Sequence, residues 1–303
     1  MTRPGSLPHA HPAAVRLCAV LTSHNRRETT LRALAALQAS AAGAPVKLSA
    51  CLVDDGSSDG TAEAVRAHFP WVRVEVHRGP PLFWCRGMQR ALSLALAEGH
   101  QHYLLLNDDT FLAPDALARL LACEAELRAA APAPLIVVGS TLDPDTGQRS
   151  YGGERQPSTW RRTTFRSVMP RAVPQRLDTF NANVVLLPAD AIARVGALDE
   201  AFEHSMGDID YGLRARAAQV PVWLAPGYQG SCRRNASLGG IQDPSLPLRQ
   251  RWELMLSRKV LPWRSWLHFT RRHGGALWPL YFAWPYAKLW ALGIWQRCPV
   301  HRA

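Results

Sequence analysis

Acidic side chains cluster at three places in the 303-residue sequence: Asp54-Asp55, Asp108-Asp109 and Asp208-Ile209-Asp210. Neighbouring carboxylates with nothing basic beside them in sequence repel one another, so they need a cation or hydrogen-bond donors from a ligand. Hard carboxylate oxygens suit Mg²⁺ or Mn²⁺, and a Mg²⁺ site is commonly completed by substrate phosphates, here those of a nucleotide. Asp208 and Asp210, two apart beside a helix start, can supply a general base and its supporting carboxylate, or cap the helix. Asn181 and Asn183 interrupt an apolar stretch, so their amides need partners, in the same pocket or on the backbone.

The elements that must hold these groups follow from the apolar runs. Val15–Thr22 and Lys47–Val53 read as buried strands, as do Val72–Val76 and Tyr103–Leu106. Between them, Arg26–Ala42 has Leu31, Leu34 and Leu37 on helical spacing, a second helix runs to about His68, and a third covers Arg86–Glu98. Strand and helix in alternation predict an α/β fold with a mostly parallel central sheet, whose ligands bind at the carboxyl ends of the strands. Asp54-Asp55 and Asn107-Asp108-Asp109 both stand at such ends. Further on, Leu135–Val138, Val184–Leu187 and Pro221–Ala225 read as strands, and Pro188–Val195 and Asp210–Ala218 as short helices. The polar, Gly/Pro/Arg-rich residues Asp143–Arg176 read as hairpin or loop.

Composition narrows the class. Hydrophobic residues make up 47% and charged residues 19%, as in a folded globular chain. The six cysteines are scattered, without zinc spacing or a disulfide framework, which suits a reducing cytosol. Residues 1–14, with three prolines and no apolar run, read as a disordered tail and not a signal peptide. Asp55-x-Ser57-x-Asp59-Gly60 starts like a calcium loop, but its twelfth position would be Arg66, where a bidentate Glu is required. Neither a dinucleotide glycine fingerprint nor a P-loop is present. A sugar nucleotidyltransferase would want a glycine-rich phosphate loop near the N-terminus, and Val20–Arg26 has no glycine.

The segments and their order resemble the family 2 glycosyltransferases, inverting enzymes of the GT-A fold, over roughly residues 15–235. Val53-Asp54-Asp55-Gly56-Ser57-Ser58-Asp59-Gly60-Thr61 is similar to the family's nucleotide-binding strand end, and Leu21-Thr22-Ser23-His24-Asn25-Arg26 to its first-strand motif. Leu105-Leu106-Asn107-Asp108-Asp109-Thr110 looks like its DxD metal motif with Asn first. Val195–Phe202 resembles the segment before the catalytic acids, and Met206-Gly207-Asp208-Ile209-Asp210 looks like the E-D-x-D motif with Gly for Glu. The bacterial rhamnosyltransferase-like branch is the nearest in flavour.

The resemblance implies roles. Thr22, Asn25 and Arg26 would border the nucleotide, Asp54 and Asp55 would hold base and ribose, and Asp108 would sit beside ribose or diphosphate. Asp109 would ligate Mg²⁺ or Mn²⁺, and Asp208 would be the general base with Asp210 in support. Asn107, Asn183 and Arg86 would belong to the nucleotide-sugar site. The implied reaction moves a sugar from a UDP- or dTDP-linked donor to a hydroxyl of a saccharide or lipid-linked glycan acceptor in surface polysaccharide synthesis. Gly207 and Asn107 also keep open a catalytically silent, membrane-associated glycan-binding or scaffold protein on the same fold.

The excess charge is concentrated. Residues 233–303 carry 12 basic and 2 acidic side chains and 7 of the 11 Trp, against 23 basic and 22 acidic side chains in the rest. The expected division is a catalytic domain over 15–230, with a nucleotide-binding half (15–110) and an acceptor half (111–230), then a basic, aromatic helical segment over 231–303. That segment either meets an anionic membrane surface or packs on the catalytic domain with Arg to solvent. It contains no recognised nucleic-acid module, so no nucleic-acid partner is expected. The expected location is the cytoplasm, at the cytoplasmic face of the inner membrane.

Overall fold

The computed structural model describes residues 14–234, 241, 243 and 245–295; the tail expected over 1–14 lies outside them apart from Ala14. The first half follows the alternation of apolar runs. Strand β1 (Val15–Ser23) leads to helix α1 (Arg27–Ala42), β2 (Val46–Asp54) to α2 (Thr61–His68), and β3 (Val72–Val76) to α3 (Phe83–Leu96), before β4 (His102–Leu106). β1 pairs in parallel with both β2 and β4, and β2 with β3. β1, the end of β2 and β4 are buried on both faces, hence their Val/Leu/Cys/Ala runs, while β3 is an edge strand (VRVEV) with Arg73 exposed.

The second half adds β5 (Phe111–Leu112), α4 (Ala116–Ala130), β6 (Ile136–Leu142) and three short strands: β7 (Gly153–Arg155), β8 (Arg166–Ser167) and β9 (Gln175–Leu177). β10 (Thr179–Phe180), β11 (Val184–Pro188), α5 (Ala189–Val195), α6 (Gly207–Ala217) and β12 (Val222–Ser231) follow. Among the described residues the main sheet runs β3-β2-β1-β4-β11-β6-β12-β5, with β9 also paired to β12. β11 lies antiparallel between β4 and β6, while β12 runs parallel to β6. The antiparallel insertion of β11 brings Asn183, just before it, beside Asn107, just after β4: the Asn107 N–H donates to the Asn183 carbonyl at 3.2 Å. The Gly/Arg-rich stretch between β6 and β10 forms a small second sheet, β10-β7-β8, which roofs the carboxyl ends.

Among the described residues, α7 (Leu248–Leu256), α8 (Trp263–His273) and, after one 3₁₀ turn, α9 (Trp278–Trp295) follow. α8 buries Ser265, Trp266, Phe269 and Thr270. Trp266 and Phe269 join the core cluster that contains Phe180, Phe202 and Tyr211. Part of the basic aromatic segment therefore completes the catalytic core. Among the described residues no helix is long and apolar enough to cross a membrane.

Candidate active site

The cleft that matters opens at the carboxyl ends of β1 and β4, under the small sheet. Its cavity is about 390 Å³. Arg26, Asn107, Asp108, Asp109, Asn183 and Asp208 all line it, so half of the expected site residues converge there from four separate stretches of chain.

Strand β4 delivers the first acidic group. Asp108 is almost fully buried, and burial pushes its carboxyl up to about 6, even though the Arg26 guanidinium pulls the other way. Arg26, on the turn between β1 and α1, reaches both acids through one nitrogen: Nη1 lies 3.1 Å from Asp108 Oδ1 and 2.7 Å from Asp109 Oδ2. The Cys232 thiol, just past β12, faces Asp109 Oδ1 at 3.5 Å, and the Asn183 amide faces Cys232 at 3.3 Å. Asn107 accepts a hydrogen bond from the Trp84 indole at 2.7 Å, which ties the end of β4 to the start of α3.

Helix α6 delivers the second. Met206 takes a left-handed φ of +72°, and the helix begins at Gly207. Asp208 Oδ1 accepts the Ile209 N–H at 2.8 Å and Oδ2 the Ala182 N–H at 3.3 Å. Burial nevertheless dominates and pushes the Asp208 carboxyl up to about 6. A carboxylate with that affinity for protons, open to a cleft, can take a proton from a bound hydroxyl near neutral pH.

The other expected residues stand outside this cleft. Thr22 Oγ1 donates to the Val53 carbonyl, and its side chain fills the space that a β-carbon at Gly87 would need. Asn25 is bonded to Ser57 and Ser58, and Asp54 accepts the Ser57 N–H at 2.8 Å, so both shape the turn after β2. The Asp55 carboxylate accepts the N–H groups of Leu82 and Phe83, each at 2.9 Å, and caps α3 from across the sheet. Arg86 donates to the Glu200 carbonyl and pairs with Glu203.

Asp210 stands behind the cleft, not in its lining. It is 0% exposed and bonded to Arg214, Arg272 and His273 at 2.8–2.9 Å. Burial alone would raise its carboxyl, but the hydrogen bonds from His273, Arg214 and Arg272 and the two Arg charges outweigh that and hold it below the ordinary range. Two of these three residues come from α8. A second acidic group does face Asp208 within the cleft: Glu154 on β7, paired with Arg149 at 3.3 Å and raised by burial. Glu154 and Arg149, with Trp84, Lys259 and Arg234, were not singled out by the sequence for this site. His204, also in the lining, is driven down to about 4 by burial with help from the Lys259 and Arg26 charges, so its ring is neutral at pH 7.

The donor set suits a divalent cation only in part. Among the described residues no three His, Cys, Asp or Glu side chains gather as a metal centre. Asp109 and Asp108 offer hard oxygens at one spot, where burial raises the Asp108 carboxyl against the pull of Arg26. Mg²⁺ or Mn²⁺ would therefore be held by these two with ligand phosphates supplying the remaining oxygens.

Comparison with known proteins agrees with this architecture. No curated protein sequence matches the chain. Among solved structures, GalNAc-T7 with UDP, GalNAc and Mn²⁺ is similar at 13% identity and a TM-score of 0.51, covering 80% of this chain and 48% of that one. The chain thus spans about half of the GalNAc-T7 chain. S. aureus TarS 1-349 in complex with UDP is similar at 11% identity and a TM-score of 0.52, covering 83% of this chain and 69% of that one. Both likenesses are of the overall fold. The family model described as glycosyl transferase family 2 matches residues 18–178, just over half of the sequence, and includes the strand-end acidic clusters Asp54-Asp55 and Asp108-Asp109. The chain belongs to glycosyl transferase family 2.

Proposed function

We propose that this protein is an inverting glycosyltransferase of the rhamnosyltransferase-like kind. It takes a UDP- or dTDP-linked sugar as donor and a hydroxyl of a saccharide or lipid-linked glycan as acceptor, in bacterial surface polysaccharide synthesis. The observation that carries the reading is the meeting of Arg26, Asp108 and Asp109 with Asp208 in one cleft of a family 2 chain. The UDP in the GalNAc-T7 and TarS structures supports a nucleoside diphosphate as the leaving group.

In this reading the base and ribose lie beside the turn after β2, next to Thr22, Asn25, Asp54 and Asp55, and the diphosphate lies at Arg26, Asp108 and Asn183. Arg86, near the start of α3 and paired with Glu203, borders the same nucleotide-sugar site. Asp208 takes the proton of the acceptor hydroxyl. That oxygen forms the new bond to the anomeric carbon as the bond from that carbon to the diphosphate oxygen breaks, on the opposite face. Configuration inverts and the nucleoside diphosphate leaves with the electron pair. Arg26 stabilises the growing charge on it, and a Mg²⁺ or Mn²⁺ at Asp109 would supply further positive charge there when bound. Asn107 holds the end of β4 through Trp84 and keeps the Asp108 and Asp109 carboxylates in place.

The acceptor is proposed to be presented at an anionic bilayer, on its cytoplasmic face. α9 leaves Leu280, Trp284 and Trp290 exposed, and Trp160 stands 76% exposed near the same end, where Tyr281 bonds its carbonyl. No acidic residue follows Glu253, while Arg161, Arg271 and Lys288 are exposed. A second copy of so basic a face would be repelled, whereas anionic headgroups and the acyl boundary suit Trp, Leu and Arg together. Flotation of the protein with phosphatidylglycerol vesicles, lost in Leu280→Ala/Trp284→Ala, tests this; equal flotation of wild type and variant contradicts it.

The function itself is tested with a panel of nucleotide sugars, with and without Mn²⁺, read by thermal shift and by release of the nucleoside diphosphate. Release from one donor, raised by an acceptor saccharide, is expected. Binding without release from any donor would instead favour a catalytically silent scaffold.

A further inference from the structure

Arg26 makes contacts that a donor-binding residue does not need. The backbone on both sides of it is fastened to the turn after β2. The Asn25 N–H donates to Ser57 Oγ at 2.9 Å, the Ser58 N–H donates to Asn25 Oδ1 at 2.7 Å, and the Arg27 N–H donates to Asp59 Oδ2 at 2.9 Å. The main chain at Arg26 is thus fixed while its side chain crosses the sheet end. A single nitrogen, Nη1, then meets both acids. One point of positive charge between two carboxylates is also what a bound cation would provide.

Only the acid side of this contact is buried: the Asp108 side chain is 10% exposed, but Asp109 is 27% and Arg26 42% exposed, so water and ligands reach the guanidinium. Remove it, and two adjacent carboxylates are left side by side, with Ser23 at Asp108 and the Cys232 thiol at Asp109 as neutral neighbours. Like charges at that separation are unfavourable, so the protein without ligand needs an internal cation.

We propose that Arg26 is a displaceable internal counter-ion: it closes the Asp108–Asp109 pair in the donor-free protein and yields the position to a divalent cation only when a diphosphate arrives to take the guanidinium. The inference rests on the reading of this cleft as a donor site. Its consequence is cooperative loading. The free protein binds metal poorly, the diphosphate offers anionic oxygens to both cations, and metal and nucleotide each strengthen the other by the same factor. The free protein is thereby kept from holding a bare metal in an open cleft.

The test is Mn²⁺ binding, followed by electron paramagnetic resonance of the free ion, in wild type, Arg26→Gln and Arg26→Lys, without nucleotide and with saturating UDP or dTDP. Circular dichroism melts check that each variant is folded. Arg26→Gln is expected to bind Mn²⁺ about tenfold more tightly than wild type without nucleotide, roughly 1.4 kcal/mol. Arg26→Lys is expected to stay near wild type, and the gain in Mn²⁺ affinity on adding nucleotide is expected to be smaller in Arg26→Gln. Equal Mn²⁺ affinity of wild type and Arg26→Gln without nucleotide, with nucleotide-dependent binding intact, would overturn the counter-ion role alone. No Mn²⁺ binding by any variant, even with nucleotide, would overturn it together with the metal role of the site.

Discussion

Asp208 and Asp210 leave the same first turn of α6 and serve different neighbourhoods. Asp208 lines the cleft with backbone N–H groups on its oxygens, while Asp210, fully buried, holds Arg272 and His273 of α8. The pair therefore links chemistry to architecture: the turn that carries the proposed base is clamped by α8. Asp199, just upstream, repeats the clamp with Arg272 at 2.7 Å and His268 at 3.0 Å.

Breaking the clamp should cost stability before chemistry. Asp210→Asn leaves Arg214, Arg272 and His273 without their shared charge and is expected to destabilise the fold by about 3 kcal/mol or more, as for other buried pairs broken on one side. Arg272→Ala, at a partly exposed partner, is expected to cost only about 1 kcal/mol. Chemical denaturation measures both. An Asp210→Asn protein as stable as wild type would contradict the clamp.

The clamp also sets a response to acid. The Asp199 carboxyl is lowered from 3.8 to about 2: burial works against this, but the Ala201 N–H, His268 and Arg272 overcome it. A lowered native value means that the unfolded chain binds protons first, so the contribution is complete above about pH 4 and is lost as pH falls towards 2. Denaturant midpoints measured between these pH values should fall in wild type, and fall less steeply in Arg272→Ala.

Activity should respond at higher pH. A base works deprotonated, and burial has raised Asp208 to about 6. The turnover number is expected to drop about tenfold per pH unit below that value and to level off above it. A flat profile from pH 5 to 8 would remove Asp208 from the reaction.

Gly207 departs from the acidic residue of the motif for a packing reason. A β-carbon there would collide with the Cys85 sulfur and crowd Phe202. Gly207→Ala is expected to destabilise by about 1–3 kcal/mol, the usual range for overpacking, and Cys85→Ala to recover part of the loss. Additive effects in the double variant would mean that the two positions do not share the space.

Much of this was legible in the chain because the relevant signals are local. Unbroken apolar runs between helices gave β1 to β4 to within a residue or two, and acidic residues at strand ends marked where the cleft opens. α4 was not anticipated. Its alanines lie on both faces and blur the apolar stripe, although Leu117, Leu120 and Leu121 are buried. Glu154 was invisible for a different reason. It sits in a polar stretch whose short strands fold back over the sheet, and its place beside Asp208 depends on that return. The burial of Asp210 was not legible because its partners lie 62 and 63 residues away, in a helix whose basic residues read as facing lipid or solvent.

The most direct measurement compares wild type and Asp208→Asn in two assays on the same samples: calorimetric binding of the nucleoside diphosphate, and transfer from the cognate donor. The account predicts affinities that agree within about twofold and a turnover lower by at least ~10²-fold, the usual contribution of a general base. Near-normal turnover in Asp208→Asn would contradict it.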